Sequence, residues 1–168
     1  QEYMLEGVDQ IAIYTNPSLN ASKDTPYLFL PTTTSVTQFV TAVNALPSES
    51  VTLGGGQQYT DSALTEAISA ARGESNSCGQ FGSIVLLSGP VIFTESNSVY
   101  DEFLQKTISA KVPVYILQHE GNIPNVGEIE GESRQLAEST GGAYYKFSVN
   151  NASTFTQLDD TFFPAITH

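Results

Sequence analysis

An α/β fold, with a mostly parallel twisted sheet flanked by helices on both faces, is predicted by two features of the sequence. Short apolar runs bounded by turn residues alternate with segments of helical period about 10–13 residues long, the pattern of βαβ crossovers. Two of those runs, Ser83-Ile-Val-Leu-Leu87 and Val112-Pro-Val-Tyr-Ile-Leu117, are continuously apolar. That is the mark of strands covered on both faces, as strands of a parallel sheet are. The length, 168 residues, fits a single domain, 1–168, with a real core.

Each element has its own local reason. Gln10-Ile-Ala-Ile-Tyr-Thr15 reads as a strand ended by Asn16-Pro17, and Tyr27-Leu-Phe-Leu30 as a second. Ser35 caps a helix whose apolar residues Val36, Phe39, Val40, Val43 and Leu46 share one face, and Pro47 stops it. Thr60 or Asp61 caps the next helix, which carries Ala63, Leu64, Ala67, Ile68 and Ala71 on one face. The run 83–87 follows as a strand. Ser98 to Ala110 is helical with Tyr100, Phe103, Leu104 and Ile108 inward, and the strand 112–117 comes after it. Glu132 to Thr140 reads as a helix with a C-cap signal in Gly141-Gly142. Ala143-Tyr-Tyr-Lys-Phe147 alternates as a strand, and Ala152 to Phe163 reads as a last helix closed by Pro164. The stretch 118–131, with the acidic Glu128-Ile-Glu-Gly-Glu132, reads as a solvated loop.

In such sheets ligands bind beyond the carboxyl ends of the strands. The loops at that edge are 15–20, 54–60, 88–97 and 118–131. The loop 54–60 begins with Gly54-Gly55-Gly56 and leads into a helix, as phosphate-binding loops do. No Lys or Arg lies between Val51 and Ala71, and there is neither a P-loop Lys nor a G-x-G-x-x-G pattern, so nucleotide binding is not expected.

Charge narrows the partners. Six basic against 18 acidic residues give −12, which disfavours nucleic acid and anionic membrane surfaces. Ser, Thr, Asn and Gln carry much of the surface, a composition that points outside the cell. Asn20-Ala-Ser22 and Asn151-Ala-Ser153 are glycosylation sequons, so Asn20 and Asn151 are candidate acceptors, and Asn76-Ser77-Cys78 is the rarer Cys variant. The single cysteine, Cys78, excludes an internal disulfide. With no signal peptide or transmembrane run in view, the chain is expected to be a mature or excised piece of an extracellular or cell-surface protein.

Several segments, taken together, resemble the von Willebrand factor A domain family. "LGGGQQYTDSALTEAISAA" (53–71) resembles its glycine-rich turn, Thr and Ala-Leu helix. "SIVLLSGP" (83–90) sits where that family has an apolar strand ending in Thr-Asp-Gly. "ISAKVPVYILQHEG" (108–121) is similar to its next helix end and strand, and "ESRQLAESTGGAYYKFSVNNASTFTQL" (132–158) to its closing pattern. The resemblance spans about residues 9–164, with order and spacing as its strength. It looks nearest to divergent A domains of extracellular matrix and cell-surface proteins such as hemicentins.

The resemblance implies a Rossmann-like fold and a metal-ion-dependent adhesion site, and two departures bear on both. The family's first strand, ending in Asp-x-Ser-x-Ser, belongs about 30 residues before residue 9. Asn16-Pro-Ser-Leu-Asn20 has a similar outline but leaves too little chain before the glycine loop. The domain is therefore expected to be N-terminally incomplete, its first strand supplied by a second chain or segment, cut away before this sequence, or replaced by local rearrangement. In addition, Gly89 stands where the family's Thr-Asp-Gly has Asp, and Gln57 or Gln58 where it has Thr, unless Thr60 substitutes. Ser88 and Thr60 alone are two neutral hydroxyls, too few to hold Mg²⁺ against water, so no metal and no cofactor is expected.

Catalysis is not expected either. His119 and Glu120 are adjacent and point opposite ways on an extended chain; Ser88 lacks a G-x-S-x-G elbow; and His168 is terminal. Most aromatics fall on apolar faces and read as core, whereas Tyr59, Phe93 and Tyr144 lie near loops and are expected to be exposed. The function expected is non-catalytic recognition of a protein partner at the carboxyl edge, formed by the loops around Gln57 to Thr60, Ser88 to Thr94 and Gln118 to Asn125, with Gln57, Gln58, Tyr59, Thr60, Ser88 and Phe93 as the candidate contacts. Two alternatives are a structural spacer module of a larger glycoprotein and a metal-dependent adhesion domain whose first motif lies on an absent segment.

Overall fold

A computed structural model describes residues 11–15, 27–46, 61–72, 82–89, 93–94, 96–120, 126–148, 156, 158–162 and 164. The chain divides into two units, Gln1–Gln58 and Tyr59–His168.

In the first unit, β1 (Ile11–Thr15) and β2 (Tyr27–Thr33) form an antiparallel pair. This differs from the parallel arrangement that strand–helix alternation predicts, because no helix intervenes between these two strands among the described residues and an antiparallel return needs none. Tyr14 faces Leu28 and Thr15 faces Tyr27, and the register then shifts twice before Ile11 meets Thr33. Pro31 lies within the shifted stretch, and a residue without an N–H is tolerated at such an irregularity. Helix α1 (Val36–Ala45) starts as expected, with the Ser35 hydroxyl accepting from the Gln38 N–H at 3.4 Å. It ends at Leu46, whose extended backbone is what a residue before proline prefers. Its apolar stripe is only half-buried and Val43 is exposed.

The second unit holds the described core. Strands β3 (Ile84–Ser88), β4 (Val114–His119) and β5 (Tyr144–Phe147) form a parallel sheet in the order β3-β4-β5. Helices α2 (Asp61–Arg72), α3 (Asn97–Ala110) and α4 (Val126–Ser139) complete it. Leu64 and Ile68 from α2, Phe103 and Leu104 from α3, and Leu136 and Ala137 from α4 pack with Val114, Ile116, Ile84 and Leu86 in one cluster. Both crossovers advance in the same direction along the sheet, and right-handed crossovers then place α3 and α4 on the same face. The other face is covered by a π-helical turn, Leu158–Phe162, packed on Tyr115, Leu117, Tyr145 and Phe147.

That turn lies over β4 and β5, which corrects one expectation. β4 is covered on both faces, with Val114, Ile116, Leu117 and Gln118 all buried. β3, read from its apolar run as equally covered, alternates instead, leaving Val85 41% and Leu87 67% exposed.

The junction between α4 and the sheet explains the double glycine. Thr140 Oγ1 donates to the Leu136 carbonyl and accepts from the Val114 N–H, tying the helix end to the start of β4. Gly141 has φ +85°, which glycine adopts without strain, and a Cβ on Gly142 would collide with the Val114 carbonyl. At its other end α4 begins at Val126, six residues before the expected start at Glu132. The acidic run 128–132 is therefore helix rather than loop. Ile129 extends the buried stripe Ser133, Leu136, Ala137 by one turn, and Glu128 falls in the first turn, where a negative charge suits the helix dipole.

Candidate functional site

The carboxyl end of the three-stranded sheet is where polarity enters the core. Cross-strand register gives the layers on the α3/α4 face: Leu86, Ile116 and Tyr144 form one row, and Ser88, Gln118 and Lys146 form the next. Because α4 runs back against the strands, its early residues lie at this same end and include the half-buried Glu130, with the fully buried Ser133 near the middle of the helix.

At the centre of the row Gln118 is completely buried, and neither atom of its side-chain amide has a hydrogen-bond partner. The same is true of the hydroxyls of Ser88 and Ser133. An orphaned buried polar group costs about 1–3 kcal/mol, so a row of them is unfavourable as it stands and is the sort of feature that collects at sites of function. At the outer end of the row the charges are matched. Lys146 Nζ sits 2.6 Å from Glu130 Oε1. That contact raises the ammonium above the usual lysine range, with the Glu120 charge helping. One row back, Arg134 stacks 4.8 Å over the Tyr144 ring. Burial, with Glu130 nearby, raises the Tyr144 phenol.

The loop after β3 returns into the core. Phe93, expected to be an exposed anchor for a partner, is fully buried against Phe103 (ring centroids 6.1 Å apart) and Tyr100 (6.2 Å). A large apolar ring placed among apolar helices is drawn in, whatever its loop position suggests. Its carbonyl accepts from the Asp61 N–H at 3.1 Å, so the start of α2 and the loop after β3 are tied together. Thr94, also buried, donates to the Ser96 carbonyl just before α3. Tyr100 reaches from α3 to the Glu132 carbonyl of α4 at 2.7 Å, and burial, then the Glu132 and Asp101 charges, hold its phenol protonated far above the usual range.

Of the other expected site residues, Ser88 lies on this edge as the last residue of β3. Gln57, Gln58, Tyr59, Thr60, Asn20, Asn151 and Cys78 lie outside the described residues. Tyr144 is half-buried rather than exposed. His119 is the last residue of β4, not a loop residue after it, and meets the Phe147 ring edge-on at 5.2 Å; Glu120 beside it donates its N–H to the Phe147 carbonyl. The described side chains here do not form a divalent cation's ligand set. Ser88 and Gln118 are neutral donors, Gly89 supplies no side chain, and among the described residues no three His, Cys, Asp or Glu converge.

Ser133 and Lys146 are not candidates on sequence grounds; Gln118 and Glu130 fall within the edge loop 118–131 but are not singled out there. The available signal was the polar Gln closing the apolar run Val114-Tyr-Ile-Leu-Gln118 in the same alternation as Val114 and Ile116.

No protein-family profile matches the chain, and no curated protein matches it. It is similar to the crystal structure of an uncharacterized membrane spanning protein from Vibrio fischeri, at 13% identity and a TM-score of 0.33, over 91% of this chain and 73% of that one. Among the described residues of the present chain, no helix is long and apolar enough to cross a membrane.

Proposed function

We propose that the chain is a divergent A-domain-like module that recognises a protein partner at the carboxyl edge of its sheet, outside the cell and without catalysis or a bound cation. The observation that supports this reading is the row Ser88–Gln118–Lys146 with Ser133 and Glu130 beside it. It places polar groups with no partner in the layer buried beneath the edge where parallel sheets bind their ligands. The donors and acceptors are neutral amide and hydroxyl groups next to a matched ion pair, chemistry suited to peptide groups rather than to phosphate or a metal. The net charge of −12 steers neutral or basic partners toward the module and repels anionic ones. Phe93 has no part in the contact, since its ring is core, and the expected surface reduces to 57–60 and Ser88.

The test is capture from a panel of extracellular and cell-surface proteins by the immobilised chain, alongside a variant carrying Gln57→Ala, Gln58→Ala and Tyr59→Ala. A partner held by the wild type and lost by the equally stable variant supports the reading. A partner held equally by both overturns the choice of surface.

A further inference from the structure

We propose that the first two turns of α4, residues 126–132, form a lid that lifts at Gly131 while the rest of the helix stays docked, and that its opening lets a partner reach Gln118. That use rests on the recognition proposed above; the opening itself does not. Gln118 is fully buried and neither its side-chain oxygen nor its nitrogen has a partner, so a ligand meets this amide only when a cover moves. The cover is found by its level in the fold. Thr140 Oγ1 accepts from the Val114 N–H, which fixes the end of α4 beside the start of β4. From Val114 to Gln118 the strand climbs about 13 Å, and α4, running the other way, covers about the same height from Thr140 to Gly131. Lys146, the neighbour of Gln118 in the row, touches Glu130 and sets the same level independently. Since α4 packs on both β4 and β5, its first half is the roof over Gln118.

The two halves of α4 are held differently. Ser133, Leu136 and Ala137 are completely buried, and Leu136 and Ala137 belong to the core cluster. Within 127–132 the one buried residue is Ile129. The remaining ties of the first half are polar: the Glu130–Lys146 ion pair, and the Tyr100 hydroxyl donating to the Glu132 carbonyl. Both members of that ion pair are partly exposed, and such pairs hold weakly. Glu128 and Glu132, four residues apart on the helix, repel each other. The glycines decide the matter. Gly131, in the interior of the helix, weakens it about fivefold relative to alanine, and Gly127 lies one turn before it. Neither is demanded by packing or backbone: a Cβ on either would meet nothing within 4 Å, and neither has a left-handed φ. At the other end of α4, Gly141 is required by its φ and Gly142 by its close approach to Val114. What Gly127 and Gly131 supply is a first half that opens at lower free energy than the second, as segments that move for binding do.

Hydrogen exchange of the full 168-residue chain, followed by NMR in rising sub-denaturing urea, tests the lid with no partner present. The backbone N–H groups of 130–132 should exchange through an opening that urea barely affects, with protection at least tenfold below that of 137–140, which exchange only on global unfolding. The side-chain N–H groups of Gln118 should exchange through the same opening. Gly131→Ala, which adds a methyl group in open space, should slow both by about fivefold. The proposal is overturned if 130–132 and the Gln118 amide exchange only with global unfolding, or if Gly131→Ala leaves exchange at Gln118 unchanged. Failure here is the lid's alone, whereas a lid that opens in a chain that captures no partner counts against the recognition reading.

Discussion

Gln118 is a full side-chain amide sealed into the sheet with neither end satisfied. Stability alone disfavours it, since an apolar side chain of similar shape would keep the packing and remove the desolvation penalty. Gln118→Met should therefore raise the unfolding free energy by about 1–3 kcal/mol in urea titration. A loss of stability instead would mean that the amide is bonded in solution. Gly142 makes the opposite case. A Cβ there meets the Val114 carbonyl, which is fixed backbone rather than a side chain that can swing away. Gly142→Ala should cost about 3 kcal/mol, the upper end of the range for overpacking, and the same titration reads it. Glu132 bears on pH. Burial, with the Glu128 charge, raises its carboxyl above the usual range. The folded state then binds the proton more tightly than the unfolded one, so this group's favourable contribution exists at acid pH and is lost as pH rises through the folded value. Glu132→Gln should raise the melting temperature at pH 7 by an amount worth less than about 1 kcal/mol for so exposed a group. The gain should vanish at pH values below the ordinary carboxylate range.

Among the elements, α4 shows what the sequence conveys and what it hides. Its second half was legible, because Leu136 and Ala137 keep helical spacing and Gly141-Gly142 marks the end. Its first half was not: Gly127, Gly131 and three glutamates resemble a solvated loop locally, and only the burial of Ile129 against the rest of the unit makes the segment helical. Ile129→Ala should thus destabilise by about 2–4 kcal/mol, whereas a loop residue would cost almost nothing; an equilibrium melt distinguishes the two. β3 failed in the other direction. Its composition, Ile-Val-Leu-Leu, is that of an inner strand, but composition reports which residues tolerate burial, not whether a second layer arrives. The antiparallel β1–β2 pair was hidden for a related reason, since strand direction depends on what joins the strands and not on the apolar runs themselves. Of the candidate site, Ser88 could be found from its place after an apolar run. Gln118 could be placed only as the start of an edge loop, and its alignment with Lys146 not at all, because what joins them is cross-strand register, which no local window contains.

For the whole molecule the division at residue 58 and the distribution of burial make the same argument. Both clusters of buried residues lie in the second unit: one runs from Leu64 to Ala137 and the other from Leu117 to Phe162. In the first unit helix α1 has no buried residue and shows only a half-exposed stripe, and a two-stranded pair is marginal in water on its own. Free energy of folding follows apolar area removed from water, so cooperativity should reside almost wholly in residues 59–168. Expressed alone, that segment should show one sharp thermal transition, with far-UV and near-UV circular dichroism melting together. Its midpoint should rise with salt, because the acidic excess makes the compact state repel itself. Residues 1–58 alone should melt without a cooperative transition. Should 59–168 prove unfolded and recover structure only when 1–58 is added in trans, the core clusters are insufficient by themselves, and the two units form one folding entity despite the division.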